Sequence, residues 1–309
     1  MRKLTAICVV ICAAFVLLGA SYAMGGDGYA TFFDGIDGDN IVGYFTKPSG
    51  KTVIYEGEQI NLPSCSHGFL YDGEKFITLD MPGAKNTNPN GISGNIIVGG
   101  YEDASGRPHG FLYNRNMAWT TMDMPGAKKT IARGISGKSV VGAYEDAAGK
   151  NHGFLYDWSK KAFTTLDMPG EANTFLIGIS GSNIVGYALS SKSRSCFIYD
   201  TVKKTFAILD VPGAKDVIPE GISGNIIVGT YSDVSNKGHG FLYDMEKKTC
   251  ADIDMPGAIF TTSVKAVSGK KIVGWYVDFS GKRHGFVYDI GEKKFTTLDM
   301  PAIPGASTK

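Results

Sequence analysis

Apolar residues occur in short runs along the chain, and turn residues separate these runs at regular intervals. One representative stretch has apolar-rich runs at 130–136, 139–145, 152–157 and 162–167. A Gly-Lys pair, a polar loop and a Ser-Lys pair lie between them, and Met168-Pro169-Gly170 leads into the next group. Short runs bounded in this way predict β-strands joined by hairpins, whereas no stretch shows the period of about 3.6 residues of an amphipathic helix.

Three phrases recur in a fixed order and divide the chain into six copies. They are Gly-Ile-Ser-Gly followed by Ile/Val-Val-Gly, then His-Gly-Phe-Leu-Tyr-Asp, then Leu-Asp-Met-Pro-Gly-Ala. The first phrase or its variant begins at Gly35, Gly91, Gly134, Gly178, Gly221 and Ala266. Four strands in about 43 residues is the size of a propeller blade. We therefore predict an all-β, six-bladed β-propeller, with a parallel β-helix as the alternative.

The strands of each copy are named A to D in chain order, and the predicted repeats start near 31, 87, 130, 174, 217 and 262. Alternation of strand direction places the B–C and D–A loops on one face of the ring, the loop face. The A–B and C–D turns lie on the opposite face, the turn face. The first copy carries an insertion at Thr46–Ser66, and a closing strand exchanged between the chain ends remains open.

The segment 1–23 is predicted to be a secretory signal peptide. Arg2 and Lys3 precede an apolar run from Leu4 to Ala20, and small residues follow at the cleavage position. A membrane anchor is the alternative, but the run is short for a span. We expect a secreted protein, extracellular or periplasmic, with a short segment at 24–30, the propeller at 31–301 and a tail at 302–309.

The charge balance gives no reason to expect a polyanionic partner. Without Arg2 and Lys3 the chain has 29 basic and 30 acidic residues, a net charge of −1. We therefore expect no nucleic-acid partner and, after signal cleavage, no membrane span. Cys65, Cys196 and Cys250 lie at unrelated repeat positions, so an oxidising compartment permits one disulfide and leaves one thiol. No cofactor is predicted.

The three phrases resemble the extracellular repeats of the HAF family, which is named for a His-Ala-Phe tripeptide. In that family an Ile-Asn/Ser phrase and a Val-Val-Gly strand precede His-Ala-Phe-Leu-Tyr/Trp. The resemblance extends over about residues 31–301, and glycine replaces the alanine at Gly68, Gly110, Gly153, Gly240 and Gly285. The ending Leu-Asp-Met-Pro-Gly-Ala also departs from the Leu-Gly-rich ending of the family. The resemblance implies a secreted or surface-exposed propeller and specifies no activity.

All five histidines open a copy of the second phrase, at the start of strand C on the loop face. In four copies an aspartate stands six residues earlier, which predicts a His–Asp hydrogen bond across the B–C loop. If this face binds a ligand, the candidate residues are Asp103, His109, Asp146, His152, Asp233, His239, Asp278 and His284. Equivalent histidines spaced around a ring do not converge, so we predict neither a metal site nor a catalytic centre.

Departures from the repeat mark the places where a unique site would lie. Blade 1 carries the insertion with Glu56 and Glu58. Blade 4 has Ser195-Cys196 where other copies have His-Gly, and Arg194 precedes them as a further candidate. Blades 1 and 4 lie opposite each other in a six-bladed ring. Aromatic residues after the Val-Gly strand are candidates for stacking on sugars or for packing between blades: Tyr101, Tyr144, Tyr187, Tyr231, Trp275 and Tyr276.

Together these features favour a secreted binding or scaffold module, a monomer, with a carbohydrate, cell-surface polymer or protein as its ligand. The alternatives are a secreted propeller enzyme, such as a polysaccharide lyase or glycoside hydrolase, and a purely structural surface repeat. Catalysis is the weaker expectation because the phrases offer no asymmetric cluster of unlike catalytic groups.

Overall fold

The protein folds into six four-stranded antiparallel sheets arranged as blades of a ring. The computed structural model describes residues 30–55, 58–116, 118–190, 193–258 and 262–301, and for 47–55 and 58–64 it describes the backbone. These residues form 24 strands, and each sheet consists of four strands consecutive in the chain. The prediction of an all-β, six-bladed propeller is confirmed.

Each of the first three blades follows the order A, B, C, D from the axis outward. Blade 1 consists of β1 (Ala30–Asp37), β2 (Asn40–Tyr55), β3 (Glu58–Tyr71) and β4 (Phe76–Thr78). Blade 2 consists of β5 (Asn86–Ser93), β6 (Ile96–Glu102), β7 (Pro108–Asn114) and β8 (Trp119–Thr121). Blade 3 consists of β9 (Lys129–Ser136), β10 (Ser139–Glu145), β11 (Asn151–Asp157) and β12 (Ala162–Thr165).

The remaining blades repeat this order. Blade 4 consists of β13 (Asn173–Ser180), β14 (Asn183–Leu189), β15 (Arg194–Asp200) and β16 (Thr205–Ile208). Blade 5 consists of β17 (Asp216–Ser223), β18 (Ile226–Ser232), β19 (Gly238–Asp244) and β20 (Thr249–Asp252). Blade 6 consists of β21 (Thr262–Ser268), β22 (Lys271–Val277), β23 (Arg283–Asp289) and β24 (Lys294–Thr297).

The core consists of layers packed between successive blades. The phenylalanine of strand C is fully buried in every blade, at Phe69, Phe111, Phe154, Phe197, Phe241 and Phe286. The glycine of the Val-Gly pair lies directly beside this ring, and in blade 2 a Cβ on Gly99 would stand 2.8 Å from Phe111 Cε1. The repeated glycine therefore makes room for the repeated phenylalanine.

The serine of the first phrase joins neighbouring blades. Its hydroxyl accepts a hydrogen bond from the glycine N–H of the next A–B turn, as from Gly137 to Ser93 (3.4 Å) and from Gly181 to Ser136 (3.3 Å). Asp37 takes this role in blade 1, and Ser268 of blade 6 accepts from Gly38, which closes the circle. These bonds explain why serine recurs in a turn without a catalytic partner.

The ring closes without exchange of a strand between the chain ends. Strands β21 and β1 lie side by side, and the Met300 N–H donates to Thr31 Oγ1 at 3.2 Å. On the turn face Lys271 forms an ion pair with Asp39. The possibility of a swapped strand, left open by the sequence, is not realised in the described residues.

The insertion of blade 1 lengthens strands B and C into a protruding hairpin on the loop face. Its register pairs Thr52 with Asn61 and Tyr55 with Glu58. Glu56 lies outside the described residues, as does the side chain of Glu58. No helix in the described part of the chain is long and apolar enough to cross a membrane.

Candidate functional site on the loop face

Four histidines are each held between two aspartates, an arrangement here called the His clamp. In blade 3, His152 Nε2 lies 3.3 Å from Asp146 Oδ2, and Nδ1 lies 2.7 Å from Asp167 Oδ2. The same contacts occur at His109, His239 and His284. The predicted bond to the B–C loop aspartate is thus confirmed in all four copies.

The second aspartate of each clamp belongs to the third phrase, and sequence reasoning missed it. Asp167 Oδ1 also accepts the N–H of Gly153 at 3.2 Å, so one carboxylate fixes both the imidazole and the backbone behind it. The signal was present, because an aspartate recurs in every copy of Leu-Asp-Met-Pro-Gly or its variant. Pairing of strands C and D brings that residue to the histidine.

The B–C loop aspartate is already occupied by its own loop. Asp146 Oδ1 accepts the N–H groups of Ala148 (2.8 Å) and Lys150 (2.9 Å) while Oδ2 faces the histidine. Each clamp ring also stacks on an aromatic residue, with 5.0 Å between the centroids of Tyr144 and His152. The predicted ligand-binding Asp and His residues are therefore brought together in pairs, and each pair is internally bonded.

In the blade 5 clamp, carboxylates face both ring nitrogens of His239, and opposite charges of this kind favour the protonated imidazole. Burial of the His239 ring opposes protonation, but the hydrogen bond and charge of Asp254 and the hydrogen bond of Asp233 outweigh it, so the pKa of His239 is raised above 6.5. A histidine pKa that is higher in the folded protein than in the unfolded chain stabilises the fold. This contribution is fully present when the pH is below the pKa of the unfolded chain, and it is lost as the pH rises through the pKa of the folded protein. Hydrogen bonds from Ser235 and Lys237 lower the pKa of Asp233 to about 2.

Replacement of His152 by alanine tests the structural role of the clamp. We expect the free energy of unfolding to fall by about 1–3 kcal/mol, because two carboxylates lose their partner and Tyr144 loses its stacking contact. Urea denaturation measures this loss. Ser195→Ala is the matched control at the equivalent position of blade 4, where there is no clamp, and we expect a loss below about 1 kcal/mol. Equal losses in both variants would contradict the structural role.

Blade 1 and blade 4 depart from the clamp. His67 stacks on Phe45, but among the described residues its ring nitrogens bond one aspartate, Asp80 at 2.9 Å, because the hairpin replaces its B–C loop. In blade 4, Ser195 Oγ donates to Glu171 Oε1 at 3.2 Å, and Ala188 stands where other blades place the aromatic residue that stacks on histidine. Cys196 is buried, which raises the pKa of its thiol to about 12. Cys65, Cys196 and Cys250 are all free.

Blades 4 and 6 each carry an arginine that stacks on aromatic rings, and each group is here called an arginine–aromatic cluster. Arg194 lies over the ring of Tyr187 at 5.1 Å, and its Nη1 contacts Asp216 Oδ1 at 2.8 Å. Arg283 of blade 6 lies over Trp275 (5.3 Å) and over Phe32 of blade 1 (5.2 Å). Both arginines begin strand C, so both clusters lie at the loop face.

The remaining candidate aromatic residues serve packing. Tyr101, Tyr231 and Tyr276 stack on clamp histidines in the same way as Tyr144. The Tyr101 hydroxyl pairs with Thr121 at 2.8 Å, and that of Tyr231 donates to Asp252 at 2.8 Å. Of the six candidates, Tyr187 and Trp275 are the two that belong to an arginine cluster.

A groove of about 630 Å³ opens on the turn face between blades 6 and 1. Blade 1 has the shortest C–D turn, with four residues between Tyr71 and Phe76 against six between Tyr156 and Phe163 of blade 3. The shorter turn leaves space above Tyr71 and Val287. Carboxylates dominate its rim, and two of them, Asp72 and Asp289, accept N–H groups of their own turns.

Comparison with solved structures supports the propeller and nothing finer. TolB from Acinetobacter baumannii superposes with a TM-score of 0.59 at 12% identity, covering 94% of this chain and 68% of that one. The β-propeller domain of the Trilobed protease from Pyrococcus furiosus, described as having an open velcro topology, gives 0.54 at 11% identity, with 89% and 100% covered. A nidogen/laminin complex chain gives 0.51 at 11% identity, with 88% and 94% covered.

At these identities the similarity concerns the fold alone. No protein-family model matches the chain, and no curated protein matches it in sequence. The resemblance to the HAF repeats thus rests on the three phrases themselves.

Proposed function

We propose that the chain is a secreted binding module whose loop face takes an acidic glycan or cell-surface polymer. The observation that supports this is the position of the two arginine–aromatic clusters, at blade 4 and at the junction of blades 6 and 1. A guanidinium over an aromatic ring offers a flat apolar surface beside a positive charge. This combination suits a sugar ring that carries a carboxylate.

The other parts of the loop face support a non-catalytic role. The clamp residues are bonded to one another and recur in four blades, which is expected of a rigid frame. General acid–base chemistry instead requires unlike groups that converge on one reacting atom. The turn-face groove has a largely acidic rim, which does not complement an acidic polymer.

A glycan array at high protein density, carrying neutral and uronate-containing polymers, tests the proposal. We expect binding to uronate-containing polymers, weakened about tenfold or more by Arg194→Ala and by Arg283→Ala. Arg115→Ala is the matched control, because Arg115 lies on the turn face, where it contacts Asn40 at 3.2 Å. Melting temperatures of all variants establish that the fold persists.

Three outcomes would contradict this proposal. Absence of binding to every polymer would favour the purely structural repeat. Binding that both arginine variants retain would exclude the two clusters as the site. Binding that is abolished by Glu74→Lys, a substitution at the rim of the groove, would move the site to the turn face.

A further inference from the structure

One position beside the central channel carries a different side chain in each of the six blades. This position is the residue before the glycine of the first phrase, where strand A bulges and one residue is left out of the pairing with strand B. The six residues there are Asp34, Asn90, Arg133, Ile177, Glu220 and Lys265. All but Lys265 line a cavity of about 70 Å³ at the axis.

Three of these residues are satisfied by protein partners. Lys265 Nζ lies 2.6 Å from Glu220 Oε1, and Asn90 Nδ2 donates to the carbonyl oxygen of Ala132 at 2.7 Å. The Lys265–Glu220 pair cancels its own charge. It therefore contributes polarity to the channel wall without demanding a ligand.

Asp34 and Arg133 are different. Asp34 Oδ2 is buried and has no hydrogen-bond partner among the described residues, which is costly for a carboxylate oxygen. Arg133 is exposed to the channel and forms no hydrogen bond or ion pair with another described residue. Both line the same cavity, yet they do not pair with each other.

We propose that the cavity binds a small zwitterion, with its ammonium group donating to Asp34 and its carboxylate accepting from Arg133. A simple cation would satisfy Asp34 but face the Arg133 guanidinium, and a simple anion would face Asp34 and Glu220. A molecule that carries both charges satisfies both residues. The described residues contain no group of three or more His, Cys, Asp or Glu side chains able to hold a metal ion.

The size of the cavity limits the ligand. A volume of about 70 Å³ holds about five to seven water-sized groups, at roughly 10–15 Å³ each. Glycine, the smallest amino acid, has this size and both charges. Larger amino acids exceed this volume and would have to extend into the open channel, past lining residues such as Gly134 and Ile135.

Isothermal titration calorimetry with glycine, in an amine-free buffer, tests the assignment on the full chain. We expect saturable binding of one glycine per chain, and no binding of acetate, methylammonium or trimethylglycine, which lacks N–H donors. Two substitutions introduce residues that other blades already carry at this position. Asp34→Asn copies Asn90 and Arg133→Ile copies Ile177, so both are expected to fold.

Each variant should weaken glycine binding about tenfold or more, while Arg115→Ala should leave it unchanged. The absence of glycine binding would overturn the proposal. Equal binding of acetate, or undiminished binding by both variants, would do the same. None of these results bears on polymer binding by the loop face, so the two proposals fail independently.

Discussion

Gly99→Ala is expected to lower the free energy of unfolding by about 3 kcal/mol or more. The new Cβ would overlap the carbonyl oxygen of Asn88 and stand 2.8 Å from Phe111 Cε1. The backbone of strand A and a fully buried ring cannot both move aside, because the next blade packs against them. Urea denaturation or calorimetry of the two proteins gives the difference.

The adjacent residue supplies the control for this prediction. Gly100→Ala places a Cβ 3.6 Å or more from its neighbours, which is ordinary contact, and Ala143 already occupies the equivalent position in blade 3. We expect a change within about 0.5 kcal/mol. Similar losses of stability from both substitutions would show that the contact between Gly99 and Phe111 does not set the spacing of strands A to C.

Asp34→Asn is expected to raise stability at neutral pH by about 1–3 kcal/mol. Burial raises the pKa of Asp34 from 3.8 to about 6, with Glu220 adding to the rise and Lys265 and Arg133 opposing it. Between these two pKa values the folded protein binds more protons than the unfolded chain, so stability falls as the pH increases. Above about pH 6 the buried Asp34 carboxylate is charged and lowers the free energy of unfolding by its full amount. Asparagine carries no charge and therefore removes this loss.

Thermal unfolding of both proteins from about pH 4 to pH 8 measures this effect. The difference between them should be largest above about pH 6 and should disappear near pH 4. Asp210→Asn is the control, because Asp210 is an exposed aspartate at the position that other blades use for their clamp. A destabilised Asp34→Asn variant at neutral pH would show that the charge of Asp34 is needed by the channel.

The architecture was predictable from the sequence because the repeat marks the same turn in every blade. Gly-Ile-Ser-Gly, the Val-Gly pair and Met-Pro-Gly occur at intervals that four short strands fill. Because successive strands run in opposite directions, the strand order also predicted which loops share a face of the ring. The pairing of Asp146 with His152 followed from their nearness in the chain, whereas Asp167 required the register of strands C and D.

The residues that line the channel could not be predicted from the sequence patterns. Arg133 is opposite no residue of strand B, and the bulge of strand A brings it to the cavity. The bulge cannot be recognised in the sequence of this repeat. The glycine that follows it is also the first residue of Gly-Ile-Ser-Gly, which the A–B turn already explains. The role of Tyr144 was similarly ambiguous until its stacking on His152 was visible.

Because every blade is formed by consecutive strands, the order of the blades along the chain is not essential to the ring. Thr31 and Met300 already meet at the seam as Thr130 and Met124 meet within the chain. A circular permutant that joins these ends and opens a Met-Pro-Gly turn would interrupt no sheet. The same property lets a gene gain or lose whole blades by duplication or deletion without dividing one.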